Sequence, residues 1–546
     1  MKNNKWIVLF TLLMSIVLLA ACSYGGGDET STQSAEGEGE QAAEGEPQSG
    51  GSVSIPIVAD PTFNPWHPNA YAESNVVNRV LFSGLTQTGE DLEPIPDLAT
   101  EWETSEDELE WTFHLRDDVL WHDGEQFTAE DVAFTFNEIV LNEALGANNT
   151  SYFQMLQEVQ VVDDYTVKFI MDSPVAALPA YLSFNTEIIP QHIFEGQDPW
   201  DLTSFNKENP VGTGAFKLKS YTSGQSVVLE RNDDFYGDIA LLDEVEYKVL
   251  ADANTHVAQL LSGELSIFAL DDLSAIDRIE SAENVTVEAR ETPRFFWIIA
   301  NQEVEKYQDV RVRQAILHSI DRQNIIDTVL KGYGTIADAG IAPALADYYT
   351  DDVTRYEYDP ERAKELLAEA GWEDTDGDGI VDKDGEPFTI DFEIGIQGDL
   401  EAVSQMVQQY LLSTGFDVNL NAMEWNSMIQ DVVVNRDYEM SLNWWRYPAD
   451  PDLSAYMHSN SVAGNNIPAY QNPELDALLE AGAQTSDIEE RKEIYIEAQQ
   501  FMSEELPYIF LWYPQEAQVR VNSLQGVPDL AFGDALHHIH KWYIEE

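Results

Sequence analysis

The sequence predicts an α/β protein of several domains, each with a substantial hydrophobic core. The chain has 546 residues, which is more than one core usually organises and suggests about three domains. Hydrophobic residues make up 44% of it, enough for real cores. Strand and helix patterns alternate, and we interpret 245–250, 253–262 and 265–269 as a β-α-β unit. Such alternation is typical of α/β sheets that bind ligands at the ends of their strands.

The N-terminus has the pattern of a bacterial lipoprotein signal. Lys2 and Lys5 precede an apolar run over 6–19, and the sequence Leu-Ala-Ala-Cys at 19–22 then matches a lipobox. The apolar run is too short to span a membrane. We therefore expect a signal peptide over residues 1–21 and a lipid anchor on Cys22. The chain has one cysteine, so the exported protein is expected to fold without disulfides.

Charge and composition restrict the partners of the chain. Residues 22–51 are rich in Gly, Ser, Glu and Gln and poor in apolar residues, which predicts a disordered tether. The net charge of −71 repels nucleic acid and anionic lipid headgroups. We therefore expect no nucleic-acid partner, and attachment to the membrane only through the lipid on Cys22.

The first globular elements follow this tether. Residues 52–59 have a strand pattern that ends at Asp60-Pro61, and 71–85 have a helical pattern with an apolar stripe. Alternating Leu109, Trp111, Phe113 and Leu115 predict a half-buried hairpin strand.

Three later motifs are interpreted structurally. Thr128 with Asp131 resembles the capping box that starts a helix. Gly212-Thr213-Gly214 lacks the GK[ST] of a phosphate loop and predicts a tight turn before a strand. Asp359-Pro360 predicts the start of a helix that Gly371 ends.

Several of these segments together resemble the family 5 extracytoplasmic solute-binding proteins, the peptide- and nickel-binding components of ABC importers. The likeness covers essentially the whole mature chain, and five motifs occur in the same order. These motifs are PIPDLATEW followed by WTFHLRDDVLWHDGEQFTAEDVAFTFN, NPVGTGAFKLKSY at 209–221, DVRVRQAILHSIDR at 309–322, YDPERAKELLAEAGW at 358–372 and YQNPELDALL at 470–479.

The resemblance implies a two-lobe fold of the periplasmic-binding-protein type 2, with an extra domain inserted in the N-terminal lobe. Strands 294–300 and 508–513 would cross between the lobes as a hinge, so that the lobes close over the ligand. The implied first lobe consists of 52–84, the inserted domain 85–210, 211–291 and the C-terminal part 515–546. The implied second lobe is 292–514.

The same resemblance implies a function. The protein would be an exported, monomeric component at the outer face of the cell membrane, without a required cofactor. It would capture oligopeptides and deliver them to the permease and ATPase subunits of an ABC importer. A non-peptide solute, such as an oligosaccharide stacked on tryptophans or a nickel chelate held by Arg446, is the alternative ligand.

An enzyme is the alternative from another class, and the sequence does not favour it. It contains no G-x-S-x-G, H-E-x-x-H or G-K-[ST] motif, and a lipidated cysteine cannot act as a nucleophile. The 99 acidic residues offer many carboxylate pairs but single none out for glycoside hydrolysis. We therefore expect no catalytic residues.

The segment NWWRYPADPD at 443–452 is the predicted ligand site, because aromatic rings beside a few charges suit a concave site. The alternative places both tryptophans in the core. In dipeptide-binding relatives an aspartate four residues before the motif's proline pairs with the peptide amine, and here that position is Tyr447. Its loss disfavours free-amine dipeptides, whereas the W-x(4)-D-P-D spacing resembles members that bind longer peptides. The residues expected to face the ligand are Tyr71, Glu73, Ser74, Asn75, Trp425, Trp444, Trp445, Arg446, Tyr447 and Asp450.

Two further clusters of side chains are interpreted either as metal sites or as ordinary surface segments. Asp374, Asp376 and Asp378 with a following glycine reproduce the start of a calcium loop, and Asp382 would add a fourth carboxylate. The twelfth position is glycine instead of glutamate, so an acidic surface turn is the alternative. Histidines at 537, 538 and 540 suit a transition metal, but a solvated face is the more common explanation.

Overall fold

The protein is described by a computed structural model over residues 49–70, 72–270, 272–462 and 464–545, with the backbone alone for Ala72 and Trp445. The signal peptide, Cys22, the tether up to residue 48 and Tyr71 lie outside the described residues. The last tether residues do not behave as a free linker, because the Gly50 amide donates to the Leu241 carbonyl at 2.7 Å. Across the described part of the chain, none of the helices combines the length and the apolar character needed to cross a membrane.

Three larger sheets organise the described residues. The N-terminal sheet has the order Ser52–Ile57, Glu244–Val249, Ser226–Arg231 and Phe216–Thr222. The insert sheet has the order Ala99–Thr104, Glu110–Leu115, Thr166–Met171 and Leu156–Asp163. The central sheet has the order Ile267–Leu270, Ile509–Val521, Arg294–Ala300, Met440–Arg446, Thr389–Ile396 and Asp417–Glu424. Two more strands, Val285–Glu291 and Gly334–Ile336, also pair with Ile509–Val521.

Helices cover these sheets, and short strand pairs close three loops. The described α-helices of seven or more residues are Ala72–Leu81, Ala253–Ser262, Val310–Ser319, Arg322–Thr328, Pro360–Glu369, Leu400–Thr414, Pro473–Gln484 and Ile488–Glu505. The short pairs are Thr86–Thr88 with Pro94–Pro96, Asp382–Lys383 with Glu386–Pro387, and Leu524–Gln525 with Tyr543–Ile544.

Buried apolar residues form two cores. One core lies between 53 and 247 and includes residues 524–542 from the C-terminus, with Trp66 and Trp542 fully buried. The other lies between 257 and 519, around the central sheet. The buried apolar residues of 257–285, which the sequence assigns to the first lobe, therefore pack in the same core as the second lobe, except for Ile267, which packs in the first core. The bounds of the lobes as separately moving bodies stay a prediction.

Local signals identified in the sequence account for several helix ends. Thr128 precedes the helix Ala129–Phe134, and its amide donates to the Asp131 carboxylate at 3.0 Å, as the capping pattern predicts. Asp359 caps Pro360–Glu369 by accepting from the Arg362 amide at 3.0 Å. These contacts satisfy amides that the first helical turn leaves without partners.

The predicted β-α-β unit is wrong, although its three elements exist. Glu244–Val249 belongs to the N-terminal sheet, whereas Ile267–Leu270 pairs antiparallel with Ile509–Val521 in the central sheet. The helix Ala253–Ser262 therefore connects two sheets. Periodicity along the chain identified the strands, but the choice of partner depends on a strand about 250 residues away.

The acidic loop is exposed and partly matches the calcium prediction. Oxygens of Asp374, Asp376 and Asp378 lie within 4.8 Å of one another. The Asp382 carboxylate instead accepts from the Thr375 hydroxyl and amide, at 2.7 and 2.9 Å, which ties down the loop. Calcium binding here stays a prediction.

The strand predicted after the glycine motif is confirmed, with a bend at Gly214 and Ala215 before it, and the glycines permit a close approach. A Cβ atom on Gly212 would lie 1.9 Å from the Leu81 carbonyl oxygen, and one on Gly214 would lie 2.3 Å from the Val80 oxygen. The Gly214 amide donates to the Leu81 carbonyl at 2.9 Å. The turn therefore packs backbone against backbone at the end of the helix Ala72–Leu81.

We predict that Gly212→Ala lowers the free energy of unfolding by about 3 kcal/mol, because helix and turn must separate to admit the methyl group. Gly224→Ala is the matched control, since Gly224 has open space around its Cα but a φ of +70°. Its expected cost is about 1 kcal/mol of backbone strain. Chemical unfolding followed by tryptophan fluorescence measures both. If both substitutions lowered the free energy of unfolding equally, the close approach of Gly212 to the Leu81 carbonyl would not contribute to stability.

Candidate solute-binding cleft

A single long strand connects the two halves of the molecule. Ile509–Val521 has 13 residues, and its first part pairs with second-lobe strands, ending with Pro514 opposite Gly334. From Gln515 opposite Glu291 onwards it pairs with Val285–Glu291. The Thr292 hydroxyl donates to the Pro514 carbonyl at 3.3 Å, where both chain segments pass between the lobes. This crossing has the geometry of a hinge. The strand Ile509–Val521 extends further than the strand 508–513 that the sequence predicts.

Aromatic rings line the second-lobe side of a cavity next to this hinge. Trp444 stacks on Trp425, with ring centroids 6.3 Å apart and planes 20° apart. Phe296 lies 6.3 Å from Trp444 and stacks on Trp512 at 4.7 Å. The Arg294 guanidinium lies 4.5 Å from the Trp444 ring centroid, a cation–π contact.

The cavity has a volume of about 120 Å³ and is lined by residues on both sides of the crossing at Thr292 and Pro514. Besides the aromatic residues, its lining includes Ala269, Leu270 and Leu273, which precede the crossing, together with Thr292, Gln515 and Glu516. A ligand in this cavity would contact both sides of the hinge. Affinity could therefore depend on closure of the lobes.

One buried carboxylate binds arginines from both lobes. The Arg79 guanidinium donates to Asp534 at 3.0 Å from within the first lobe, and Arg446 of the second lobe donates to the other Asp534 oxygen. Burial alone would raise the pKa of Asp534, but the charges of Arg446 and Arg79 hold it below its ordinary value. Asp534 is therefore ionised at neutral pH and stabilises the contact between the lobes.

Further contacts connect the inserted domain to the second lobe. The Tyr181 hydroxyl donates to Asp452 at 2.8 Å, and the hydroxyl groups of Tyr152 and Tyr456 lie 3.0 Å apart. The Ala176 amide donates to the Ala483 carbonyl at 2.9 Å. The lobes thus touch at the hinge, at Asp534 and along the inserted domain, which is a closed arrangement.

Three residues predicted to face the ligand have structural roles. Tyr447 is fully buried in the second-lobe core, and its hydroxyl accepts from the Ala342 amide at 2.8 Å. Asp450 is buried in a bidentate ion pair with Arg491, both bonds being 2.7 Å long. The Ser74 hydroxyl is buried and accepts from the Thr62 amide at 3.0 Å. All three side chains find partners inside the protein, and their contact with a ligand stays a prediction.

Trp444 lines the cavity, Trp425 stacks on Trp444, and Arg446 pairs with Asp534. Glu73 and Asn75 are half-buried in the first helix. The Trp445 backbone pairs with Phe295, but its side chain and Tyr71 lie outside the described residues. Sequence reasoning missed Arg294, Phe296, Trp512 and Asp534. The first three lie on strands that the sequence predicts as the hinge, but the pairing register that brings their side chains beside Trp444 is not visible along the chain.

Comparison with known proteins agrees with this architecture. Residues 93–466 match the family described as bacterial extracellular solute-binding proteins, family 5. The chain is 32% identical to the oligopeptide-binding protein AppA of Bacillus subtilis over the full length of both proteins.

Solved structures of solute-binding proteins are also similar to this chain. The AppA structure in complex with a nonapeptide has a TM-score of 0.81 at 31% identity, covering 92% of this chain and all of that one. NikZ from Campylobacter jejuni in complex with Ni(L-His) has a TM-score of 0.79 at 26% identity, covering 90% of this chain and 99% of that one. Both structures share the two-lobe fold described above. The chain belongs to the family 5 bacterial extracellular solute-binding proteins.

Proposed function

We propose that this protein is the solute-binding component of an ABC importer and that it binds oligopeptides between its lobes. The observation that carries the proposal is the 32% identity to an oligopeptide-binding protein over the whole chain. The hinge strand and the aromatic lining of the cleft support it. We further propose that the protein works without a catalytic step and delivers its ligand as a monomer to the permease and ATPase subunits.

The carboxylates of the segment 443–452 favour longer peptides over dipeptides, because their charges already have partners within the protein. A dipeptide exposes its ammonium group over a short length and needs a carboxylate partner, because burying an unpaired charge costs several kcal/mol. Asp450 is neutralised by Arg491, and Asp452 accepts from Tyr181 and Ser454. At the position where dipeptide-binding relatives carry an aspartate, this chain has Tyr447, whose ring is buried. Backbone hydrogen bonds distributed along a longer peptide avoid this need.

The proposed anchoring depends on the N-terminal signal alone. Cys22 would carry the lipid, and the acidic, glycine-rich segment behind it would hold the lobes away from the membrane. The net charge of −71 also keeps the lobes away from anionic headgroups.

The ligand prediction is tested by native mass spectrometry of protein purified without refolding. We expect a mixture of bound peptides of about four to ten residues, since backbone recognition accepts many side chains. A bound sugar or metal chelate, or tight binding of a dipeptide, would contradict the proposal.

The cleft itself is tested by Trp444→Ala, which removes the central ring of the aromatic lining. We expect the affinity for a peptide identified by mass spectrometry to fall about tenfold, equivalent to about 1.4 kcal/mol. Trp102→Ala is the matched control, because Trp102 is also half-buried but lies in the insert sheet. Titration calorimetry measures both variants, and an equal loss would argue against a ligand at Trp444.

Lobe closure is tested by Asp534→Asn, which leaves two arginines facing each other without a carboxylate. We expect about tenfold weaker peptide binding and a larger radius of gyration in X-ray scattering, because the closed state becomes less populated. Since the pKa of Asp534 is lowered, the native contact should persist at neutral pH and be lost as the pH falls through that lowered pKa. Asp529→Asn is the matched control. It breaks the ion pair between Asp529 and Arg290, but the Asp529 side chain is 80% exposed, so neither the peptide affinity nor the radius of gyration should change. If Asp534→Asn changed neither the peptide affinity nor the radius of gyration, a role of Asp534 in lobe closure would be ruled out.

The lipid anchor is tested by Cys22→Ala. Without the thiol no lipid can be attached, so the protein should appear in the culture medium. Cell fractionation with an antibody detects the change. Retention of the variant in the membrane fraction would disprove anchoring through Cys22.

A further inference from the structure

The hinge cavity, which Thr292 and Trp444 line, is too small for a whole peptide. Its volume is about 120 Å³, whereas a site that encloses a small-molecule ligand has about 300 to 1,000 Å³. An apolar cavity of about 150 Å³, lined by aliphatic and aromatic side chains, holds one benzene ring. The hinge cavity therefore has room for a single side chain of a larger ligand.

Apolar side chains from both sides of the crossing line the hinge cavity. Leu270 and Leu273 precede the crossing in the chain, and Phe296 and Leu330 follow it. The three leucines are 6–9% exposed, so a small part of each side chain remains open. A ligand side chain that enters the cavity would lose most of its contact with water. The other apolar residues of the lining are Ala269, Leu400, Val403, Trp444, Trp512 and Pro514.

The charged groups of the lining already interact within the protein. Glu516 accepts from the Phe532 amide at 2.6 Å, and the charge of Arg294 opposes the rise that burial causes in the Glu516 pKa. Asp399 accepts from the Leu273 amide at 3.2 Å. A charged ligand group would lose its hydration here and meet charges of both signs. An apolar side chain gives up no hydrogen bonds, so the lining favours it.

The hinge cavity also lies at the end of the central sheet where a ligand is expected. Strands Thr389–Ile396 and Met440–Arg446 pair in parallel. Residues 397–399 directly follow the first of these strands and line the cavity, as does Trp444 near the end of the second. Ligands of α/β proteins bind beyond the carboxyl ends of the parallel strands. The position of the cavity thus agrees with a part in ligand binding.

The histidines at 537, 538 and 540 lie outside this lining. His538 is 3% exposed, and its ring nitrogen Nε2 lies 3.0 Å from the Thr88 carbonyl oxygen. Burial lowers the pKa of His538 below its ordinary value and that of His540 to about 4. The solvated histidine face considered from the sequence is therefore wrong for this segment.

We propose that the hinge cavity is a subsite for one apolar side chain, about the size of leucine, in a bound peptide. The proposal rests on the proposed peptide-binding function and adds a preference at one position of the peptide. The other positions stay permissive, because their recognition is through the peptide backbone. Closure of the lobes would complete the subsite, since its lining comes from both sides of the crossing.

The test uses the purified protein, hexaalanine and the six variants of hexaalanine that carry a single leucine. Titration calorimetry should show that leucine at one or more positions strengthens binding about tenfold over hexaalanine, because a leucine side chain leaves water. Lysine in place of that leucine should bind no more tightly than alanine. If hexaalanine binds and no leucine strengthens binding, the apolar subsite is overturned while the proposed function stands. If none of these peptides binds, peptide binding itself is contradicted.

Ala269→Leu then locates the gain. The larger side chain would occupy the cavity that Ala269 lines, so the leucine peptides should lose their gain while hexaalanine keeps its affinity within about twofold. Ala282→Leu is the matched control, because Ala282 is also half-buried but does not line the cavity, and the gain should persist in it. A gain that survives Ala269→Leu, or that both variants remove, would overturn the assignment to the hinge cavity.

Leu273→Ala tests the same lining by enlarging it, and it decides the question if Ala269→Leu does not fold. Phenylalanine at the selected position of the peptide should bind more tightly than leucine to this variant, because the larger ring fills the added space. The native protein should bind the leucine peptide at least as tightly as the phenylalanine peptide. A preference that is the same in the native protein and in Leu273→Ala would overturn the proposal.

Discussion

The architecture depends on one strand that belongs to both halves of the molecule. Ile509–Val521 exchanges second-lobe partners for first-lobe partners between Pro514 and Gln515. A strand cannot slip by one residue without turning every side chain to the opposite face, so the lobes are held in register along this strand. The predicted motion of the lobes would thereby be confined to the few residues that cross beside Thr292. The cleft, its aromatic lining and the closure contacts all lie around this constraint.

Electrostatics adds a second connection, made by a single buried carboxylate. Asp534 is desolvated, which opposes its ionisation, yet arginines from the two lobes overcome that cost. A methyl group on the adjacent Gly533 would lie 2.8 Å from Arg79 and 2.9 Å from Arg446, which shows how closely the two cations converge. Such a contact forms only when the lobes approach. We therefore expect it to favour the closed state.

The carboxylates that follow the tryptophans have structural partners within the protein. Asp450 and Asp452 follow the tryptophans in the sequence but are saturated by Arg491 and Tyr181. Proximity to a motif is thus a weaker indicator of binding than the balance of donors and acceptors around each group.

The sequence by itself determined the local elements and the family. Caps at Thr128 and Asp359, the glycine turn at Gly212 and the aromatic strand before Arg446 all depend on neighbours a few residues away, and short-range geometry is visible along the chain. The tertiary structure alone decided which face each residue takes and with which distant group it pairs. Tyr447 became core, and the strands of the expected β-α-β unit separated into two sheets. Those outcomes depend on contacts between residues that are far apart in the sequence, and no local pattern encodes them.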